Sequence, residues 1–531
     1  MKESKLSIIP QPVTCQLTEG FFQSRGLPAI KGDGTFSKEI NAVNQQLRED
    51  LEKIGLAYLQ DREGKAVICQ AENNPFTQLA PPAKPASSLS GEGYRITITK
   101  ETITINAASG KGMYHGLQSF RQLVLSEYKG FQEESRFNES NFSLPCGKII
   151  DYPRFPWRGF MLDCSRYFYS INFIKRIIDV LSLHHINRFH WHLSDDQGWR
   201  LPIPEYPLLT ETGSLRKDSR ISLVPSIGGF YSEESICDLV EYAAVRHIEV
   251  VPEIDLPGHA SAILAAYPDL GCTGGPYQVE DRFGIFEDVL CAGNDRIFEF
   301  IGKVFDSLVR LFPSSYVHIG GDEVLFNRWE ACPKCQKKLS ELGLEKPKEL
   351  QSWITWRLVT MLAERGKTAI GWDEVLEDSQ QFRLPKETVV MSWRGSEGGI
   401  AASKRGHPVI MVPNTEGCYL DYKHIDDPEE PGQTFNTIST VYKGYCMDPV
   451  APEMTEEESS GILGGQCNLW SELIYAGKIA EYMIFPRLCA IAEAVWTSCE
   501  NKNFDDFSRR LNIHQKRLDR LGLLQYRGPL R

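Results

Sequence analysis

Apolar residues along this chain follow two different rhythms, and the rhythm changes near Asp151. Before that point the clearest pattern is strict alternation. It runs through Tyr94-Arg95-Ile96-Thr97-Ile98-Thr99 and Thr102-Ile103-Thr104-Ile105, with Lys100-Glu101 between them, and predicts a β-hairpin. Apolar residues then recur at helical spacing from Gly112 to Leu125. Pro81-Pro82-Ala83-Lys84-Pro85 reads as a loop. Residues 1–150 are therefore expected to form a small α+β domain, and they hold no cluster of acids or aromatics that suggests a site.

Beyond Asp151, short apolar runs alternate with helical patterns. The predicted strands are Gly159–Asp163, Arg188–His192, Glu249–Ile254, Tyr316–Ile319, Thr368–Trp372, Thr388–Trp393, Pro408–Val412 and Gly461–Leu469. Helical patterns between them include Phe173–Leu183, Glu234–Arg246, Asp295–Leu311 and Leu350–Arg365. Strands joined by helical crossovers predict an α/β fold with a (β/α)8 TIM barrel over residues 151–531. A doubly wound open sheet would call for a phosphate-binding glycine loop after an early strand, and none is found. A last helical pattern, Ile479 to Val495, carries Pro486 and should be kinked there.

Size and charge narrow the function. A chain of 531 residues exceeds what one core usually supports. Its net charge of -12 argues against a nucleic-acid or anionic-membrane surface and suits a neutral or cationic ligand. No run of about 18 apolar residues occurs, so no membrane-spanning helix is predicted. Met1-Lys2-Glu3-Ser4-Lys5 lacks the apolar centre of a signal peptide. The expectation is a secreted, periplasmic or cell-surface protein whose leader has been removed, with a cytoplasmic location as the alternative. Asn138-Glu139-Ser140 and Asn141-Phe142-Ser143 match the glycosylation sequon, which matters only in a eukaryotic secretory host.

The 14 cysteines are too few for a disulfide scaffold. Cys164, Cys467 and Cys489 sit singly in apolar runs and read as buried thiols. Cys332-Pro333-Lys334-Cys335 reads as a loop staple or two free thiols. No second C-x-x-C accompanies it, which argues against structural zinc. Cys272 and Cys291 bracket a glycine-rich loop and could pair.

Chemistry gathers where the predicted barrel strands end. The first strand runs into Arg166, and the second passes through His190-Trp191-His192 to Asp195-Asp196. The third ends in Asp255-Leu256-Pro257-Gly258-His259, and the fourth in Gly320-Gly321-Asp322-Glu323. The next two end in Trp372-Asp373 and Trp393-Arg394; Tyr419 and Asp421 follow the seventh, and the eighth gives Trp470-Ser471-Glu472. That end of a barrel is where barrel enzymes react. Tryptophans with scattered carboxylates and one arginine suit a carbohydrate, because indole faces pack on pyranose C–H faces and carboxylates accept from hydroxyls. Trp191, mid-strand between two histidines, should point away from the barrel interior. Those histidines share a face and could bind a metal, but the fifth and sixth strands supply no further histidine. They are given a supporting place in the barrel interior, and no metal or cofactor is expected. The adjacent Asp322 and Glu323 repel one another, so one of the two pKa values should be raised.

Four of these segments together resemble a known family. His-Trp-His-Leu-Ser-Asp-Asp-Gln-Gly-Trp-Arg (190–200), Pro-Glu-Ile-Asp-Leu-Pro-Gly-His (252–259), His-Ile-Gly-Gly-Asp-Glu (318–323) and Trp-Ser-Glu (470–472) are similar to the β-N-acetylhexosaminidases of glycoside hydrolase family 20. The resemblance implies an exo-acting, retaining enzyme that releases terminal β-linked GlcNAc or GalNAc, with the substrate's own 2-acetamido oxygen as nucleophile. It implies that Asp322 orients that group, that Glu323 is the general acid and base, and that Tyr419 hydrogen-bonds the acetamido carbonyl. Trp353, Trp372 and Trp470 would wall the acetamido pocket and the sugar face, joined by Trp393. Arg166, Asp421 and Glu472 would hold the distal hydroxyls, with Asp196 and His259 supporting the site. A disaccharide-releasing relative of the lacto-N-biosidase kind and an inactive carbohydrate-binding protein are the alternatives.

Overall fold

Eight parallel strands close into a barrel in the computed structural model, which describes residues 6–56, 64–76, 90–127, 142–217, 226–377, 381–435 and 437–531. The barrel strands are Trp157–Asp163, Arg188–His192, Glu249–Glu253, Tyr316–His318, Thr368–Trp372, Val389–Ser392, Val409–Met411 and Ile462–Leu469, each hydrogen-bonded to the next, with the eighth returning to the first. Every residue of the first and sixth is buried, as expected for parallel strands covered on both faces. Helices cover the outside. The one over Ile171–Leu183 starts where Ser170 accepts from the Phe173 amide, and it buries Ile174, Ile177, Ile178 and Leu181.

The predicted helix around Pro486 is two helices, Gly477–Ile484 and Arg487–Trp496. Proline has no N–H to give the preceding turn, and here that loss ends the helix where a kink was expected.

Ahead of the barrel lies a six-stranded sheet in the order Thr14–Ser24, Phe142–Asp151, Tyr94–Ile98, Ile103–Ala107, Ala66–Ala71, Ala29–Gly32. The predicted hairpin is its centre, with Ile98 opposite Ile103. Helix Gly110–Glu127 packs on this sheet and reaches the barrel helix Ile171–Leu183, which explains why it is buried on nearly every side. Polar ties reinforce the junction. Asp151 accepts from the Tyr94 hydroxyl at 2.7 Å and from the Trp496 indole at 3.0 Å. Arg158 meets Glu92 at 2.5 Å. The proline-rich loop and the asparagines of the two sequons, Asn138 and Asn141, lie outside the described residues. Among the described residues no helix is long and apolar enough to cross a membrane.

Candidate active site

The fourth barrel strand stops at His318, and the next residues turn sharply. Gly320 and Gly321 have φ of 67° and 102°, and Glu323 also sits in the left-handed region at 53°. Gly320 tolerates no side chain, because a Cβ there would fall 1.7 Å from Asp255 Oδ1. The same oxygen accepts from the Gly321 amide at 3.1 Å. In a regular strand Asp322 and Glu323 would face opposite ways; the turn brings both onto one imidazole. His259 Nε2 stands 3.7 Å from Asp322 Oδ2 and 3.6 Å from Glu323 Oε2.

The charge pattern behind this pair is alternating. His259 Nδ1 lies 3.1 Å from both Asp195 Oδ1 and Asp196 Oδ2. Burial disfavours the imidazolium, but those carboxylates outweigh it and hold the His259 pKa well above its ordinary value. Asp195 in turn meets the Arg166 guanidinium at 2.8 Å and His192 at 3.0 Å. Asp196 also accepts from the Ser261 amide and hydroxyl at 2.9 and 2.5 Å. The raised acid of the pair is Asp322. Burial comes first, the Asp255 charge adds to it, and the result lies well above the usual carboxylate range despite His259. Burial also lifts Asp255 to about 7, with Glu253 and Asp195 adding and His259 opposing.

Glu253 is the hub of the barrel interior. Its carboxylate lies 3.0 Å from His190 Nε2, 2.5 Å from His192 Nδ1 and 2.9 Å from His318 Nδ1, and it accepts from the Trp372 indole at 3.0 Å. Burial would raise its pKa, but His318, His192 and His190 keep it well below the usual range. The inward histidines thus hold Glu253, and Glu253 fixes the orientation of Trp372. Trp191 turns outward onto Tyr231, 4.6 Å between centroids.

Above these groups opens a cavity of about 690 Å³ lined by Arg166, Asp322, Glu323, Trp372, Trp393, Tyr419, Asp421, Trp470 and Glu472. Its aromatic walls touch in sequence. Trp372 and Trp470 are 5.8 Å apart, Tyr419 and Trp470 6.4 Å, and Trp393 stacks parallel to Tyr419 at 6.3 Å. Arg166 lies over the Trp470 ring at 5.0 Å. Asp322 Oδ1 and Asp421 Oδ1 are buried without a hydrogen-bond partner. Acceptors left so are costly unless a ligand donates to them.

Two of the expected residues stand behind the cavity: Asp196 and His259 are buried under Asp322 and Glu323. Trp353 is elsewhere. It lies on the helix Lys348–Ala363, packed edge-on against Phe298 at 5.2 Å, and lines a groove between outer helices with Lys338 and Arg357. Helical register sends that side chain away from the barrel mouth. The residue of this helix that does reach the site is Gln351, which donates to the Gly321 carbonyl at 2.7 Å.

Several contributors escaped the sequence reading. Phe283, Gly284 and Ile285 come from the long loop after the third strand and form one rim. Glu374 accepts from the Trp393 indole at 3.0 Å, and burial beside Asp322 and Asp373 raises it to about 9. Arg487, fully buried, donates to the carbonyls of Leu420, Tyr422, Ser439 and Met483 at 2.6–2.9 Å. It thereby clamps the loop that carries Tyr419 and Asp421. Burial lowers the Arg487 pKa to about 9. No sequence signal marks an arginine whose partners are backbone carbonyls.

Comparison with known proteins identifies the family. Residues 155–499 match the model of glycosyl hydrolase family 20, catalytic domain, and residues 5–152 that of glycosyl hydrolase family 20, domain 2. A Beta-hexosaminidase of Porphyromonas gingivalis is 41% identical over 445 residues, 84% of this chain but 56% of that protein, so the chain spans little more than half of that relative. A Beta-hexosaminidase of Akkermansia muciniphila is 33% identical over 81% of this chain and 84% of its own length. The structure of a GH20 Exo beta-N-Acetylglucosaminidase from Vibrio harveyi in complex with N-acetylglucosamine superposes with a TM-score of 0.83 at 31% identity, covering 98% of this chain and 78% of that one. Barrel, cavity and family models together define a barrel glycoside hydrolase. The chain belongs to glycosyl hydrolase family 20.

Proposed function

We propose that the protein is an exo-acting, retaining β-N-acetylhexosaminidase that removes terminal β-linked GlcNAc or GalNAc by substrate-assisted catalysis. One observation carries the reading: Asp322 and Glu323 approach from the same side, around one imidazole, beside an aromatic pocket. Two carboxylates on one side cannot serve as acid and nucleophile on opposite faces of a sugar. A substrate that brings its own acetamido nucleophile removes that requirement. Glu323 is then free to protonate the leaving oxygen and later to deprotonate water. Asp322 accepts from the acetamido N–H and stabilises the positive charge of the cyclised intermediate. Tyr419, Trp372 and Trp470 enclose the acetamido group, and Trp393 extends that wall. Arg166, Asp421 and Glu472 sit together around Trp470 and take the distal hydroxyls, which closes the pocket behind one sugar and favours exo action.

The test is a parallel assay on a chromogenic β-N-acetylglucosaminide, the matching glucoside and a disaccharide glycoside. Turnover of the first alone is the expected result. Turnover of the disaccharide glycoside with release of an intact disaccharide would contradict exo action, and binding of the first without hydrolysis would make the chain a carbohydrate-binding protein.

A further inference from the structure

We propose that Cys272, Cys291, Cys332 and Cys335 form a tetrathiolate site for a structural zinc ion that ties one rim of the pocket to the segment following Glu323. The four sulfurs lie within 4.8 Å of one another. The spacings are 3.7 Å for Cys272 to Cys335, 3.8 Å for Cys291 to Cys332 and 3.6 Å for Cys291 to Cys335. Zinc bound to four thiolates at about 2.3 Å places neighbouring sulfurs about 3.8 Å apart at the corners of a tetrahedron. Disulfides would draw each sulfur to a single partner. Here Cys291 and Cys335 each contact two, and all four thiols are unbridged.

The surroundings fit a metal knot better than an apolar one. Cys291, Cys332 and Cys335 are buried, and Cys272 is half-buried. Cys332 and Cys335 flank the start of the helix Pro333–Glu341, and Cys272 and Cys291 stand at the two ends of the long loop, whose neck is closed by a bridge between Gly271 and Leu290. The Gly293 amide donates to Cys335 Sγ at 3.3 Å, so the loop backbone reaches the sulfur cluster directly. Gly293 must be glycine, because a Cβ there would lie 2.1 Å from the Lys334 carbonyl carbon. The loop backbone therefore rests directly on the helix start. Two of the other clusters of potential ligands already face an arginine: Asp195 meets Arg166 at 2.8 Å, and His514 faces Arg517 at 3.0 Å. The sequence pointed away from zinc because a second C-x-x-C was sought. The structure supplies the other two sulfurs from residues 19 apart across a loop that the fold closes, between Cys272 and Cys291.

The consequence is mechanical. The loop between Cys272 and Cys291 presents Phe283, Gly284 and Ile285 to the pocket, while Cys332 and Cys335 follow Asp322 and Glu323 in the chain. A metal at this point holds the rim against the catalytic turn without touching the substrate.

Metal analysis of the full chain, purified without chelator or added metal, tests this independently of any activity. The expected result is zinc equimolar with protein, released only when an organomercurial titrates the thiols. Exchange with cobalt should give the thiolate-to-metal charge-transfer and visible bands of a tetrahedral CoS4 centre. In the C332S/C335S variant zinc should be lost, the thermal midpoint should fall, and KM should rise severalfold with kcat within about twofold, the pattern of lost binding rather than lost chemistry. Wild-type protein that carries no zinc would overturn the proposal, whether its four thiols react freely or its mass shows two disulfides. Iron in place of zinc would also overturn it. The wild-type metal content decides the matter even if the variant does not fold.

Discussion

A glutamate in the left-handed backbone region costs free energy, and such strain persists where the surroundings over-determine it. Glu323 is held so by Gly320 and Gly321 before it and by Asp255 beneath, and the reward is a carboxyl aimed into the pocket next to Asp322. Replacing Glu323 with Gln should keep the fold and sugar binding while removing about 10²–10⁴-fold of rate, the usual worth of general acid-base help. The loss should be greatest for poor leaving groups. An unchanged kcat on a natural disaccharide would refute the assignment. Asp322 must be ionised to stabilise a cation, yet burial and the Asp255 charge raise its pKa. Activity should therefore climb with pH as Asp322 loses its proton. The Asp255→Asn change removes the neighbouring charge but keeps an oxygen for the Gly321 amide, so the acidic limb of kcat/KM should move to lower pH. A limb that stays put, or moves upward, would show that another group sets it.

At the scale of elements, the pocket depends on loops held from behind. The loop bearing Tyr419 and Asp421 is fastened by Arg487, and a bridge between Tyr419 and Asn468 adds to the eighth strand. Exchanging Arg487 for Met leaves four buried carbonyls short of a donor, each worth about 1–3 kcal/mol if nothing replaces it. The thermal midpoint should drop clearly, and kcat/KM should fall further than stability alone explains, because Tyr419 and Asp421 lose their setting. Normal kcat/KM in the folded R487M protein would remove the clamp from the account. The helices of the barrel were legible from apolar spacing, but their registers were less so. Trp353 shows the limit: spacing reveals that Lys348–Ala363 is a helix, whereas its angle to the barrel decides which side chain reaches the mouth, and that is Gln351.

At the scale of the whole molecule, the barrel was readable because parallel strands are continuous apolar runs that stop abruptly at polar residues, as Tyr316–His318 stops before Asp322 and Ile462–Leu469 before Glu472. The mouth was readable for the same reason. What stayed hidden comes from chain segments whose partners are distant in sequence: the rim at Phe283, the Arg487 clamp and the four-sulfur cluster each need the closed barrel before their geometry exists. Pro486 marks a different limit, since a helix break and a kink leave the same pattern. The central claim is that the substrate supplies its own nucleophile while Asp322 and Glu323 act from one side of the pocket. It predicts two inversions at the anomeric carbon. Proton NMR of the first sugar released from a β-N-acetylglucosaminide, recorded before mutarotation, tests this most directly. The account predicts the β-anomer as the first product; the α-anomer would mean a single displacement by water and would contradict it.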